Sequence, residues 1–284
     1  MKPQNIAIVG ATGAVGVEIL RVLERRNFPV ASLKLLASAR SVGKTLEFKG
    51  KPHKVEELKA DAFKGCDIAF FSAGSKISRE FGPKAAARGA VVIDNSSAFR
   101  MDPEIPLVVP EINPGDIQQA ISNGRRIIAN PNCSTIIGIT PLWPIHQKNH
   151  INRLIITTYQ AASGAGAAAM QELLDSTKAY LEDRPFNPTV MPHPYAFNVF
   201  SHNSAVDPAT GYNGEELKVN AETRKIFGTP DLAISATCVR VPVLRAHAVA
   251  LTAEFETAVD LAEVGSILAS APGVKVVDDR EKNL

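Results

Sequence analysis

No apolar run in the 284 residues reaches the roughly 18–20 that a bilayer-spanning helix needs. The Met-Lys-Pro-Gln-Asn start also lacks the long apolar core of a signal peptide. Cysteine is scarce: Cys66, Cys133 and Cys238 are too few and too dispersed for a disulfide scaffold or a zinc site. An excess of one charge is missing as well. The 31 basic and 29 acidic side chains leave +2, which gives neither nucleic acid nor a membrane surface an electrostatic hold. There is no internal repeat and no low-complexity segment. With 45 % apolar and 21 % charged residues, neither disorder nor a collagen-like fibre fits. The reading is a cytoplasmic, reduced, soluble protein with no metal centre, large enough for one large domain or two.

What is present alternates. Residues 5–9 form a short apolar run stopped by Gly10, and within 14–26 the apolar Val15, Ile19, Val22 and Leu23 fall on one helical face. Strand-like runs recur at 33–39, 67–72, 91–94 and 126–129, with a helix-like stretch up to Arg88. Apolar strands alternating with amphipathic helices predict a parallel sheet covered on both faces. Residues 1–130 are therefore expected to form a Rossmann-type, doubly wound nucleotide-binding domain. Beyond residue 150 the spacing loosens. Strands are predicted at 154–159, 236–243 and 249–255, helices at 167–181 and 215–226, and a long Pro-, Asn- and His-rich stretch at 185–213. Residues 131–284 are read as an α+β second domain with a mixed or antiparallel sheet.

The first strand runs into Gly10-Ala-Thr-Gly13-Ala-Val-Gly16 at the start of a helix. Glycines suit a tight turn whose backbone approaches a pyrophosphate, which the helix N-terminus then holds. The spacing is GxxGxxG, so a ligand-free glycine turn stays open as the alternative. The second strand ends in Ser38-Ala39-Arg40-Ser41. A carboxylate there would bind a ribose 2′-hydroxyl, whereas arginine suits a 2′-phosphate, so NADP is favoured over NAD. The alternative for Arg40 is a solvated loop charge.

Asn130-Pro131-Asn132-Cys133-Ser134-Thr135 precedes an apolar run, placing Cys133 at or near a helix start. Helix N-termini favour a thiolate, and N–H groups near residues 132–133 could stabilise an oxyanion. Pro141 and Pro144 predict a short or kinked helix. Cys66 and Cys238 read as packed thiols. Spacing alone leaves Cys133 as either a nucleophile or an inert packed thiol. Among six histidines, His247 stands out between two apolar strands, close to Arg240 and Arg245, where such a cluster could hold an anion while the imidazole moves protons.

GATGAVG at 10–16, SARSVGK at 38–44, NSSAFRM at 95–101, NPNCST at 130–135, YQAASGAG at 159–166 and CVRVPVLRAH at 238–247 together resemble the aspartate-semialdehyde dehydrogenase family. They occur in the family's order and run over nearly the whole chain. The resemblance implies NADPH-dependent reduction of L-aspartyl 4-phosphate to L-aspartate 4-semialdehyde and phosphate. That step leads to lysine, threonine, methionine and diaminopimelate. It makes Cys133 the nucleophile, His247 the acid/base, and Gln160 the group that orients substrate. Arg100 and Asn132 match phosphate-binding groups, with Lys218 a further candidate. Glu215 matches the carboxylate for the substrate ammonium, and Arg240 the guanidinium that grips its carboxylate. Gly10, Thr12, Gly13, Ala14, Val15, Gly16, Arg40, Ser41, Ser163 and Gly164 match cofactor contacts. A homodimer or homotetramer is implied.

The chain stops at Asp278-Asp-Arg-Glu-Lys-Asn-Leu284, where the family runs on into a terminal helix that packs on the nucleotide domain. The expectation is a truncated chain with an incomplete cofactor site. Two other readings compete with this one. N-acetyl-glutamyl-phosphate reductase shares the chemistry, but NPNCST with Glu215 and Arg240 disfavours it. A non-catalytic, nucleotide-binding assembly partner is disfavoured by Cys133, Gln160 and His247 together.

Overall fold

The computed structural model describes residues 2–282; Met1, and Asn283 and Leu284 of the terminal run, lie outside the described residues. The chain divides into two compact units, Met1–Val108 with Gly115–Pro131, and Val109–Pro114 with Asn132–Leu284.

The first unit is a mainly parallel seven-stranded sheet. Its strands are β1 (Gln4–Val9), β2 (Val30–Ala37), β3 (Thr45–Phe48), β4 (Lys51–Glu57), β5 (Ile68–Phe71), β6 (Val91–Asp94) and β7 (Ile127–Ala129), in the order β3-β4-β2-β1-β5-β6-β7. Among the described residues of this sheet only β3 and β4 pair antiparallel. The helices are α1 (Ala14–Arg25), α2 (Ser75–Ala87) and α3 (Gly115–Ser122). The alternation of β1 explains why it reads as apolar throughout. Ile6 and Ile8 pack with Leu20 and Leu23 of α1, while Ala7 and Val9 pack with Ala85 of α2 on the other face. Strand β1 pairs in parallel with both β2 and β5, and the order of strand addition reverses there. It runs outward through β2 and β4 on one side and through β5, β6 and β7 on the other, which makes the carboxyl end of β1 the switch point of the sheet.

Two expectations shift here. The second strand starts at Val30, directly after Pro29, and ends at Ala37, and residues 39–41 form a 3-10 turn. The β3–β4 hairpin was not foreseen, because its charged, exposed residues carry no apolar run.

The second unit has a mixed sheet of β8 (Ile151–Gln160), β9 (Phe200–Ser201), β10 (Ala233–Arg240) and β11 (Ala248–Phe255) in the order β11-β8-β10-β9. Strands β8 and β10 pair in parallel; β11 pairs antiparallel to β8, and β9 antiparallel to β10. The helices are α4 (Cys133–Lys148), α5 (Ala167–Leu181), α6 (Gly214–Phe227) and α7 (Leu261–Ser270). The expected strand at 236–243 is displaced toward its N-terminus and ends at Arg240. Residues 182–199 contain no helix or strand. Glu172 of α5, a buried carboxylate, fixes them by accepting the N–H groups of Thr189, Val190 and Met191. Helix α4 corrects the sequence reading most plainly. It is not short: it runs 16 residues through both prolines. Each proline removes one backbone donor, but Gly138, Ile139, Leu142 and Ile145 are buried, and the packed face holds the helix together.

One packing constraint in the first unit is severe. A Cβ on Gly16 would sit 2.3 Å from the Gly10 carbonyl oxygen and 2.7 Å from Ala11 Cα, both backbone atoms that cannot yield cheaply. Gly16→Ala is expected to lower stability by about 1–3 kcal/mol, read as a fall in the thermal unfolding midpoint. An unchanged midpoint would refute this close approach.

Candidate active site

In the first unit, Gly10 ends β1 with φ +83°, and a Cβ there would meet the Ser72 backbone at 2.9 Å. Gly13 is the N-cap of α1 and contributes no side-chain cap. The leading N–H groups of α1 thus lack a side-chain acceptor, and Gly13 and Val15 face solvent. A turn with this glycine cradle and an uncapped helix end fits a dinucleotide pyrophosphate. The Thr12 hydroxyl meets the Ser41 hydroxyl at 3.3 Å, which joins the turn to the loop carrying the exposed Arg40. Ala14 is half-buried in the first turn. Arg100, also in this unit, is buried and donates through Nε to the Asn130 carbonyl and through Nη2 to the Asn95 carbonyl.

In the second unit, Cys133 is the first residue of α4 and is exposed, whereas Cys66 and Cys238 are buried. Burial raises the Cys66 thiol and pushes Cys238 up to about 12, so neither is a ready nucleophile. Asn132 caps α4, its side-chain oxygen accepting the Ser134 and Thr135 N–H groups. Its Nδ2 donates to Glu215 Oε1 at 2.8 Å. Its backbone N–H donates to Glu222 Oε2 at 2.6 Å. The expected oxyanion contact from the N–H of residue 132 is therefore corrected, because a buried carboxylate already holds that hydrogen.

Strand register gathers the rest. Parallel pairing of β8 with β10 sets Gln160 beside Arg240, and β11 begins at Ala248, opposite Tyr159, so His247 falls at the same end of the sheet. Gln160 Nε2 donates to Glu215 Oε1 at 3.1 Å, and Lys218 Nζ reaches Glu215 Oε2 at 3.3 Å. Burial works to raise the Glu215 carboxyl. Hydrogen bonds from Asn132 and Gln160 and the Lys218 ammonium help outweigh burial and hold it below the ordinary carboxylate value. Glu215 sits in the first turn of α6, which the Asn213–Glu216 capping box fixes.

The Ala161 N–H donates to His247 Nδ1 at 2.9 Å. A backbone N–H can only donate, so the neutral imidazole carries its proton at Nε2. Burial, and then the Arg240 guanidinium, lower the His247 pKa. Ser163 and Gly164 lie on the 3-10 turn Ala162–Ala165. A Cβ on Gly164 would stand 2.9 Å from His247 Nε2 and Cε1, so this glycine makes room for the ring.

His202 and Asn203 were not singled out in the sequence, nor was Glu222. Arg240 Nη2 meets His202 Nε2 at 2.8 Å, and Arg240 Nε and Nη2 meet Asn203 Oδ1 at 3.3 and 3.2 Å. Both residues come from the irregular stretch, where no periodicity marks a position. They reach Arg240 because β9 pairs with β10.

Residues 5–120 match the family described as semialdehyde dehydrogenase, NAD binding domain, and residues 142–284 the semialdehyde dehydrogenase dimerisation domain. The chain is 51 % identical over 281 residues to the aspartate-semialdehyde dehydrogenase of Synechocystis sp., covering 99 % of this chain and 82 % of that protein. It is 50 % identical over 281 residues to the enzyme of Aquifex aeolicus, covering 98 % and 82 %. Among solved structures, it is similar to aspartate semialdehyde dehydrogenase II from Vibrio cholerae, with TM-score 0.93 and 44 % identity, covering 96 % of this chain and 81 % of that one.

His202 leads to a pH prediction. Burial, then the Arg240 guanidinium against the opposing Glu215, lower it from 6.5 to about 4, so the folded protein holds it neutral. Its contribution is complete above pH 6.5. As pH falls from 6.5 to about 4 the unfolded chain takes up a proton that the folded chain refuses, and stability drops by at most ~1.4 kcal/mol per pH unit. His202→Gln supplies an acceptor for Arg240 and cannot titrate. Unfolding midpoints between pH 4 and 7 should fall less steeply in this variant than in the parent; equal slopes would rule out a neutral, buried His202.

Proposed function

The chain belongs to the aspartate-semialdehyde dehydrogenase family of oxidoreductases, and from that premise we propose that it reduces L-aspartyl 4-phosphate to L-aspartate 4-semialdehyde and phosphate with NADPH. The observation carrying this reading is a continuous bonded run in the second unit. From Cys133 it passes through its cap Asn132 to Glu215, then to Gln160 and Ala161, and on to His247 and Arg240.

Gly10 to Gly16 and the first turn of α1 would hold the pyrophosphate, and Arg40 with Ser41 the 2′-phosphate. Ser163 and Gly164 are further cofactor contacts in this reading. The bound cofactor supplies a hydride to the acyl carbon. The chain's own residues do the rest. The Cys133 thiolate attacks that carbon, the C–O bond to phosphate breaks, and a thioester remains on Cys133. Arg100 and Lys218 supply positive charge for the leaving phosphate, and Asn132 keeps the cysteine at the helix start. Glu215 has one Oε2 lone pair left for the substrate ammonium after its three donors are counted. Arg240 takes the α-carboxylate. His247, neutral and protonated at Nε2, donates to the carbonyl oxygen as negative charge develops there, and recovers the proton as the C–S bond breaks and the aldehyde leaves. The covalent intermediate keeps water from the activated carbonyl. The enzyme would work in the cytoplasm as a homodimer or homotetramer, in the biosynthesis of lysine, threonine, methionine and diaminopimelate.

The test is phosphate-dependent NADP reduction by the purified chain with L-aspartate 4-semialdehyde. Cys133→Ala should abolish turnover, while Cys66→Ala and Cys238→Ala keep it and lose about 1 kcal/mol of stability. Inactivation by an alkylating reagent that leaves Cys133 unmodified would sink the assignment.

The cofactor assignment has its own check. Arg40→Asp should shift the NADP-to-NAD affinity ratio at least tenfold toward NAD in a fluorescence titration. An unchanged ratio would remove Arg40 from the site.

A further inference from the structure

Arginine has five N–H bonds, and four of those on Arg240 already have acceptors within the second unit. One Nη1 hydrogen meets the Ala161 carbonyl at 3.3 Å and one Nη2 hydrogen meets His202 Nε2 at 2.8 Å. The remaining two, from Nε and Nη2, converge on one oxygen, Asn203 Oδ1, at 3.3 and 3.2 Å. Those two hydrogens form the side edge of the guanidinium, the edge a carboxylate grips with both oxygens. Asn203 fills it with a single neutral oxygen, at distances longer than the 2.7–2.9 Å usual for charged pairs.

Position fits displacement. Arg240 is only 3 % exposed, held by strand β10, whereas Asn203 is exposed and lies just beyond the two-residue strand β9. Withdrawing Asn203 uncovers the fork without breaking a core contact, while His202 and the Ala161 carbonyl keep the guanidinium from rotating. A buried guanidinium with no acceptor on that edge would be costly. A displaceable neutral oxygen avoids the cost and leaves the fork oriented.

We propose that Asn203 is a placeholder for the substrate carboxylate: it occupies the side edge of Arg240 in the ligand-free enzyme and is displaced when the amino-acid substrate binds. The proposal rests on the reading of Arg240 as the carboxylate anchor. It makes Asn203 a specificity-determining residue. A ligand with a full carboxylate outcompetes the amide oxygen, and one with a neutral group there does not.

The experiment measures steady-state KM and kcat for L-aspartate 4-semialdehyde in phosphate-dependent NADP reduction, with unfolding midpoints recorded for every variant. Asn203→Asp sets a permanent charged competitor in the fork. It should raise the semialdehyde KM at least tenfold, with the effect in KM rather than kcat and the KM for inorganic phosphate moving far less. Asn203→Ala removes the competitor and should lower the semialdehyde KM. A tenfold or greater rise in KM for Asn203→Ala, or a loss confined to kcat, would overturn the proposal and make Asn203 a fixed support of Arg240. Arg240→Lys separates the two layers. If it leaves the semialdehyde KM unmoved, the anchor reading itself fails. If it raises that KM while Asn203→Asp does not, only the placeholder fails. Should Asn203→Asp not fold, the direction of the Asn203→Ala shift decides.

Discussion

Glu215 is a charged group 5 % exposed, and a carboxylate in that position is tolerable only if donors surround it. Three do: Asn132 from the cap of α4, Gln160 from the end of β8, and Lys218 one turn along α6. Satisfying one buried charge thus ties a helix start, a strand end and a second helix to a common point. The helix start carries the exposed thiol. Seven residues further along α6, Glu222 takes the N–H of Asn132, so two carboxylates of one helix hold the residue before the cysteine. The capping box at Asn213 and the left-handed Gly228 fix both ends of that helix, which makes it a rigid platform for the two acids.

The same economy of donors governs Arg240. Its planar fork has a fixed number of hydrogens, and the surrounding chain uses nearly all of them. His202, Ser204 and Asn213 continue the line from the guanidinium to the N-cap of α6: His202 Nδ1 meets the Ser204 hydroxyl, which donates to Asn213 Oδ1. Arg240 on β10 and the N-terminus of α6 therefore share one polar network, built by a loop with almost no regular structure. Glu172 anchors the preceding part of that loop through three backbone N–H groups, replacing the ladder it lacks.

In the first unit the constraint is space. Gly10 and Gly16 let the turn and helix α1 approach to distances no side chain permits, and Gly13 leaves the helix end uncapped. The functional consequence follows from what is missing there, a Cβ at each position and a capping side chain.

Periodicity alone located β1, α1, α2, β5 to β8, α5, α6 and β11 closely, because each buries a face whose apolar spacing is written locally. The hairpin β3–β4 buries only Phe48 and Val55 among mostly exposed, charged residues, too few to make an apolar pattern in the sequence. Two prolines argue against a long α4 on propensity alone; the helix persists because its packed face, which only the fold supplies, outweighs them. The cysteine, the glycine turn and the histidine stood out through their neighbours in sequence. Their partners did not: Glu222 is 90 residues from Asn132, and Asn203 is 37 from Arg240. Residue type and spacing along the chain marked candidates for chemistry, and the family resemblance attached roles to them. Which of their hydrogens and lone pairs are already taken was decided by strand register and helix packing, since a hydrogen bond between distant residues exists only once the fold has brought them within 3 Å or so of each other.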